Sequence, residues 1–221
     1  MLATAMSFPS VAVAAISFVD DFSTDTSANY TGTDTFGSGG SFDVSGGTLN
    51  VTSAGNNTYN VFNNTASYGI GDTICVDISG PSNAYLSVST TTRAANTAGE
   101  DGVRLHWDTG GVFRIRTYTN GTGTDTNFDA AAITGSVTLC LTRVTDNTYS
   151  ATANGTLLET AGGTSVFTAG DTGNGDMFFG VEAFNTGTRA FDNLCVTPVP
   201  EPTSTALLGL GGIALILRRR K

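Results

Sequence analysis

The sequence predicts an all-β protein: a two-sheet antiparallel jelly-roll sandwich, with a cleavable N-terminal signal segment and a single C-terminal transmembrane helix. Three observations carry this. Short apolar–polar alternations recur between residues 17 and 197, the period of half-buried strands. Gly, Asn and Asp clusters punctuate them, within a total of 28 glycines, and such clusters mark turns. Only the C-terminal tail has an uninterrupted apolar run of helical length.

Residues 1–15 are small and apolar and contain Ala12-Val13-Ala14, the A-x-A pattern of a signal-peptidase site. Positive charge at the start is missing, so this reads as a signal peptide truncated at its beginning. Alternation then predicts strands over 74–78, 85–89, 103–107, 113–117 and 137–142, and a strand–turn–strand unit around Asn154-Gly155. Turns are predicted at Ser45-Gly46-Gly47, Thr109-Gly110-Gly111 and residues 170–176. The string Thr-Gly-Thr-Asp-Thr occurs at 31–35 and at 122–126, and both copies read as loop composition.

Charge excludes one class of partner. The net charge is −9, and four of the ten cations are Arg218, Arg219, Arg220 and Lys221. An acidic body repels phosphate, so nucleic acid is excluded as a partner.

The hairpin at 103–118 is the most informative motif. A three-residue loop at 109–111 sets Trp107 opposite Phe113, Leu105 opposite Ile115 and Val103 opposite Thr117. The other face then carries His106 opposite Arg114 and Arg104 opposite Arg116, with Tyr118 beyond. Like charges facing across strands are unfavourable unless something lies between them. Arg and Tyr suit the carboxylates and hydroxyls of sugars. Arg104, His106, Arg114, Arg116 and Tyr118 are therefore the candidate glycan-binding residues, with an acidic exopolysaccharide as the expected ligand. Pairing of these arginines with local acids such as Glu100 or Asp101 is the competing reading.

Enzymatic activity is not expected. Glutamates stand only at 100, 159, 182 and 201, so no close pair exists for a retaining glycosidase. A polysaccharide lyase using the same Arg, His and Tyr residues is the enzymatic alternative. Asp20, Asp21 and Asp192 are expected to converge as a structural Ca²⁺ site if the two ends of the domain adjoin. Asp171, Asn174 and Asp176 form a second acidic loop. Cys75, Cys140 and Cys195 all lie opposite the aliphatic face of their strands, and export favours one disulfide among three possible pairings.

Two resemblances add to this reading. Val199-Pro200-Glu201-Pro202, an uncharged stretch from Ala206 to Leu217 and the basic end at 218–221 together resemble the bacterial PEP-CTERM sorting signal over residues 198–221. That resemblance implies an exosortase-type membrane protease as partner. It also implies transient anchoring through an apolar helix at 203–217, and delivery to the cell surface or extracellular matrix of a Gram-negative bacterium. The segment Asp20-Asp21-Phe22 and the segment Phe191-Asp192-Asn193, at opposite ends of residues 17–197, resemble the paired first and last strands of the concanavalin A-like or laminin-G-like jelly rolls. The expected function is that of an exported, lectin-like matrix protein. A purely structural surface protein without a specific glycan is the alternative.

Overall fold

The computed structural model describes residues 18–34, 39–55, 58–79, 83–91, 100–170 and 175–198. The signal segment, the Pro-Glu-Pro box, the apolar helix and the basic end lie outside the described residues. Among those described, no helix is long and apolar enough to cross a membrane.

Among the described residues sixteen strands succeed one another: β1 (Phe18–Asp20), β2 (Tyr30–Asp34), β3 (Gly40–Ser45), β4 (Thr48–Ser53), β5 (Thr58–Asn63), β6 (Asp72–Ser79), β7 (Ala84–Ser89) and β8 (Gly102–Trp107), then β9 (Phe113–Thr119), β10 (Thr122–Asn127), β11 (Val137–Arg143), β12 (Thr148–Ala153), β13 (Thr156–Leu157), β14 (Val166–Thr168), β15 (Phe178–Phe184) and β16 (Gly187–Pro198). A nine-stranded sheet runs β13-β12-β11-β6-β16-β4-β3, with β1 on β16 and β14 on β12. A seven-stranded sheet runs β10-β9-β8-β7-β15-β5-β2. The chain crosses between sheets at β1–β2, β2–β3, β4–β5, β5–β6, β6–β7, β10–β11, β14–β15 and β15–β16, so the two layers are interleaved in sequence. The fold is an all-β, two-sheet antiparallel sandwich, as the alternation predicted.

Each sheet turns one face inward. On β6 the residues Ile74, Val76 and Ile78 are fully buried, and on β8 so are Val103, Leu105 and Trp107. Burying a side chain of this size is worth about 1.5–3 kcal/mol, which is why the period of two holds throughout the body. Trp107 also donates its indole N–H to the Ile133 carbonyl at 3.2 Å, leaving no polar atom of that ring stranded in the core.

Three hairpins turn on two residues that both have positive φ: Gly46-Gly47, Asn120-Gly121 and Asn154-Gly155. That is the geometry whose twist matches flanking strands. The Asn120-Gly121 turn explains a correction. Residues 122–126 are not a loop but most of β10, paired with β9 from Thr122↔Thr119 to Asn127↔Arg114. Residues 31–34 of the other copy lie in β2, so the two strings mark the two opposite edges of the seven-stranded sheet. Their glycines serve one purpose: a Cβ on Gly123 would collide with Arg116 and a Cβ on Gly32 with Tyr59.

The two ends of the domain do adjoin. β1 pairs with β16 as Phe18↔Val196, Val19↔Cys195 and Asp20↔Leu194. The disulfide is Cys75–Cys140, joining β6 to β11 across a sequence separation of 65. Closing a loop of that length removes roughly 4 kcal/mol of unfolded-state entropy in the chain-entropy account. Cys195 keeps a free, half-buried thiol.

Gly180 on β15 lies where the Val61 carbonyl of β5 approaches, and a Cβ there would collide with it. Gly180→Ala is expected to cost about 1–3 kcal/mol through overpacking. Gly135→Ala, at a position with open space around it, is expected to stay within about 0.5 kcal/mol of the wild type. Urea denaturation midpoints check both.

Candidate functional site

The hairpin register is the expected one. β8 and β9 pair Trp107↔Phe113, Leu105↔Ile115, Val103↔Thr117, His106↔Arg114 and Arg104↔Arg116. Arg104, His106, Arg114, Arg116 and Tyr118 therefore share the face of the seven-stranded sheet that points away from the core. Strand order adds neighbours that were not assigned to the site from the sequence. β7 places Tyr85 beside His106 and Ser87 beside Arg104. β15 places Glu182 beside Tyr85.

Those neighbours change the electrostatics. Glu182 is completely buried, and its Oε1 accepts from Arg104 Nε at 3.0 Å and from the Ser87 hydroxyl. Arg104 is only 6% exposed, with its guanidinium 5.1 Å from the Tyr118 ring centroid and 5.8 Å from that of Tyr85. The Arg104–Arg116 opposition is thus not an empty repulsive pair awaiting an anion. Arg114 is held by Asp108 at 3.1 Å, and Arg116 by Asp125 of β10 at 3.7 Å. Among the described residues, Arg104, Arg114 and Arg116 of this face each have a carboxylate within ion-pair distance. The acids seen paired with them are Glu182, Asp108 and Asp125.

Beside these pairs lies a cleft of about 350 Å³ lined by Asn83, Tyr85, His106, Asp108, Thr109, Arg114, Arg116, Asp125, Phe184 and Asn185. At its wall the Tyr85 and His106 rings stack, centroids 4.1 Å apart and planes 8° from parallel, and Phe184 meets Tyr85 edge-on. His106 Nε2 is buried and meets no protein hydrogen-bond partner. Burial, helped by the nearby Arg114 charge, pushes the His106 pKa down to about 3, so the imidazole is neutral at ordinary pH. Burial, and then the Glu182 charge, raises the Tyr85 phenol. The cleft offers neutral hydrogen-bonding groups, two aromatic rings and two internally balanced ion pairs.

The expected calcium triad does not assemble. Asp20 is buried, accepting from the Phe22 amide at 3.0 Å and the Tyr30 hydroxyl at 2.9 Å. Asp21 is exposed and binds the Ser23 amide and hydroxyl, which lowers its pKa. Asp192 pairs across strands with Asp77. Strand alternation is the reason: adjacent residues such as Asp20 and Asp21 point to opposite sides. Among the described residues, no three His, Cys, Asp or Glu side chains gather as a metal site. Of the second acidic loop, Asp171 and Asn174 lie outside the described residues, and Asp176 accepts from the Ser67 hydroxyl.

Comparison with known proteins bears on both the tail and the sandwich. Residues 198–221 match the PEP-CTERM protein-sorting motif. This chain carries a PEP-CTERM motif. That motif supports export to the cell surface and implies processing by an exosortase-type system. No curated protein matches the chain. Among solved structures, the PEP-CTERM chain is similar to a Bacillus subtilis protein of unknown function with a galectin-like fold. There the TM-score is 0.61 at 7% identity, covering 83% of this chain and 96% of that one. It is also similar to an endo-β-1,3-glucanase from Pyrococcus furiosus, with a TM-score of 0.57 at 8% identity, covering 84% and 95%. A third likeness is to the carbohydrate-binding module CBM66 of Bacillus subtilis, at TM-score 0.51 and 15% identity, covering 76% and 95%.

These likenesses show a jelly-roll-like sandwich shared with carbohydrate-active and carbohydrate-binding proteins, broader than the concanavalin A-like group alone. They also correct the expectation of no enzymatic activity. Glucanases and other glycosyl hydrolases recur among the structures that share the fold.

The ion pairs and the buried ring can each be tested. Arg104→Thr leaves Glu182 buried without its partner and is expected to cost about 3–5 kcal/mol, whereas Arg116→Thr, at an exposed pair, should cost less than about 1 kcal/mol. Chemical denaturation of the two variants distinguishes them. For His106, the unfolded chain takes up a proton below a pKa of about 6.5 that the folded protein refuses until about pH 3. Stability should therefore fall as pH drops through that window, on the order of 1 kcal/mol per pH unit. In His106→Phe this component should be absent, so its melting temperature should fall less steeply than that of the wild type between pH 6.5 and 4.

Proposed function

We propose that this exported PEP-CTERM chain is a structural component of the extracellular polysaccharide layer, with the sandwich serving as a rigid surface module. What supports this reading over an acidic-glycan lectin is one observation: Arg104, Arg114 and Arg116 are each neutralised by a carboxylate of their own sheet. An anionic sugar meets arginines whose charge is already balanced, and the buried Arg104–Glu182 pair costs much to break. The face is built to be stable when empty.

A second reading is favoured by the cleft beside those pairs. Stacked Tyr85 and His106, the amides of Asn83 and Asn185 and the carboxylates of Asp108 and Asp125 suit the hydroxyls of a neutral polysaccharide. In this reading the sandwich contacts neutral glycan directly, and Asp108 and Asp125 are the acidic groups available for chemistry on it. The names of its structural neighbours, a carbohydrate-binding module and several glucanases, are in keeping with that reading.

Native gel electrophoresis of the secreted chain, in gels holding either β-1,3-1,4-glucan or an acidic exopolysaccharide, tests both. The structural reading expects unchanged mobility in both gels. Retardation by the neutral glucan, lost in Asp108→Asn, overturns it in favour of the cleft. Release of reducing ends in the same mixture assigns chemistry to that cleft. Retardation by the acidic polymer, lost in Arg114→Thr, restores the arginines as a receptor.

A further inference from the structure

The outward face of the nine-stranded sheet brings all three cysteines into one row. Cys140 of β11 lies opposite Cys75 of β6, and Cys195 of β16 lies opposite Cys75 from the other side. Strand alternation keeps them on one face, because Ile74, Val76, Leu139, Leu141, Leu194 and Val196 are all buried on the other. All three cysteines are half-buried rather than sealed in the core. Cys75–Cys140 is bonded and Cys195 is a free thiol.

The alignment of Cys195 is made by an irregularity. Between Asp192↔Asp77 and Cys195↔Cys75 the register of β16 on β6 shifts by one residue. Asn193 has φ 50° there and donates through Nδ2 to Asp77 at 2.9 Å. Such a bulge inserts one unpaired residue and re-aims the side chains beyond it. With Asp192 outward, an unbroken alternation places Leu194 outward and Cys195 inward. The bulge reverses that assignment, burying Leu194 and turning the thiol outward beside Cys75.

We propose that Cys195, Cys75 and Cys140 form a three-sulfur exchange row in which the disulfide moves between Cys75–Cys140 and Cys75–Cys195. The Cys195 thiol gives its proton to water, and the thiolate attacks Cys75 Sγ. A Cys195–Cys75 bond forms as the Cys75–Cys140 bond breaks, and Cys140 leaves as a thiolate that takes a proton back. One disulfide is lost and one gained, so no external oxidant or reductant takes part. The order of the row suits this displacement, which needs the attacking and leaving sulfurs on opposite sides of the central one. Directly opposed residues of an antiparallel pair keep their Cα atoms about 4.5–5.5 Å apart, within the span that a disulfide bridges. Cys75 is the shared sulfur and is bonded in both isomers. The free thiol alternates between the two ends of the row, giving this exported protein a mobile covalent attachment point.

The environment sets the pace. Burial, and then the Asp77 charge, raise the Cys195 thiol above its ordinary pKa, partly offset by the Cys75 backbone. Around it, β6 contributes Asp77, β16 contributes Asp192 beyond the bulge, β11 contributes the neutral Thr138 and Thr142, and β1 places Val19 directly opposite. None of these is a cation, so little thiolate exists at neutral pH. The exchange rate should rise with pH, about tenfold per unit while the thiol remains mostly protonated.

The test uses the full oxidised chain, held at pH 7, 8 and 9, quenched in acid at intervals, and labelled with N-ethylmaleimide in denaturant before peptide mass spectrometry. Expected is label on both Cys195 and Cys140 and never on Cys75. Approach to the mixed state should quicken about tenfold per pH unit and should not depend on protein concentration. Label confined to Cys195 at every pH and time overturns the proposal, as does label on Cys75 or a concentration-dependent rate. Cys140→Ser gives a second arm. Folded in the presence of oxidised glutathione, which accepts the two electrons, it should close a Cys75–Cys195 disulfide and take up no label, and two reactive thiols in that folded, oxidised variant overturn the proposal as well.

Discussion

A carboxylate removed from water has to be neutralised where it stands, and Glu182 at the centre of the seven-stranded sheet is such a group. Its Oε1 takes hydrogen bonds from Arg104 and Ser87, and these bonds tie together β15, β7 and β8. Breaking a buried pair of this kind exposes the full desolvation cost of the remaining charge. Glu182 therefore fixes Arg104, and Arg104 lies against the rings of Tyr118 and Tyr85. Tyr85 in turn stacks on His106. The polar face is ordered outward from one acid, and the cleft at its margin inherits that order.

The same constraint decides the chemistry of the face. Three arginines close together look, from their own hairpin, like a receptor for anions. In the sheet they meet Glu182, Asp108 and Asp125, which come from another strand, a turn and an edge. With His106 held neutral by burial, the face has no excess charge to offer. What the cleft beside it offers is hydrogen-bonding groups and ring faces.

On the opposite sheet, a local departure from regular pairing does comparable work. The bulge at Asn193 lets β16 bury Phe191 and Leu194 on the core side while setting Cys195 beside the disulfide. β16 also accepts β1 along its last residues and β4 along its first. One long strand thus closes the domain by joining its first and last segments. The Phe18 and Phe179 rings meet edge-on at 5.5 Å, which locks that closure to the other sheet.

Whatever depends on a residue and its near neighbours was readable from the chain before it folded. The strands of the body, the face each side chain takes and the 103–118 register were legible because alternation and a three-residue loop are local. So was the sorting motif, whose features succeed one another along the chain. Residues 122–126 escaped because an edge strand of Thr, Gly and Asp buries little and so lacks an apolar period. Strand order was settled only in three dimensions, since pairing β7 and β15 beside β8 joins residues nearly eighty positions apart (Arg104 and Glu182). That order turned an apparent anion site into ion pairs within the sheet and set both Cys140 and Cys195 beside Cys75. Alternation says which face a residue occupies; only the packing of distant strands says what stands next to it.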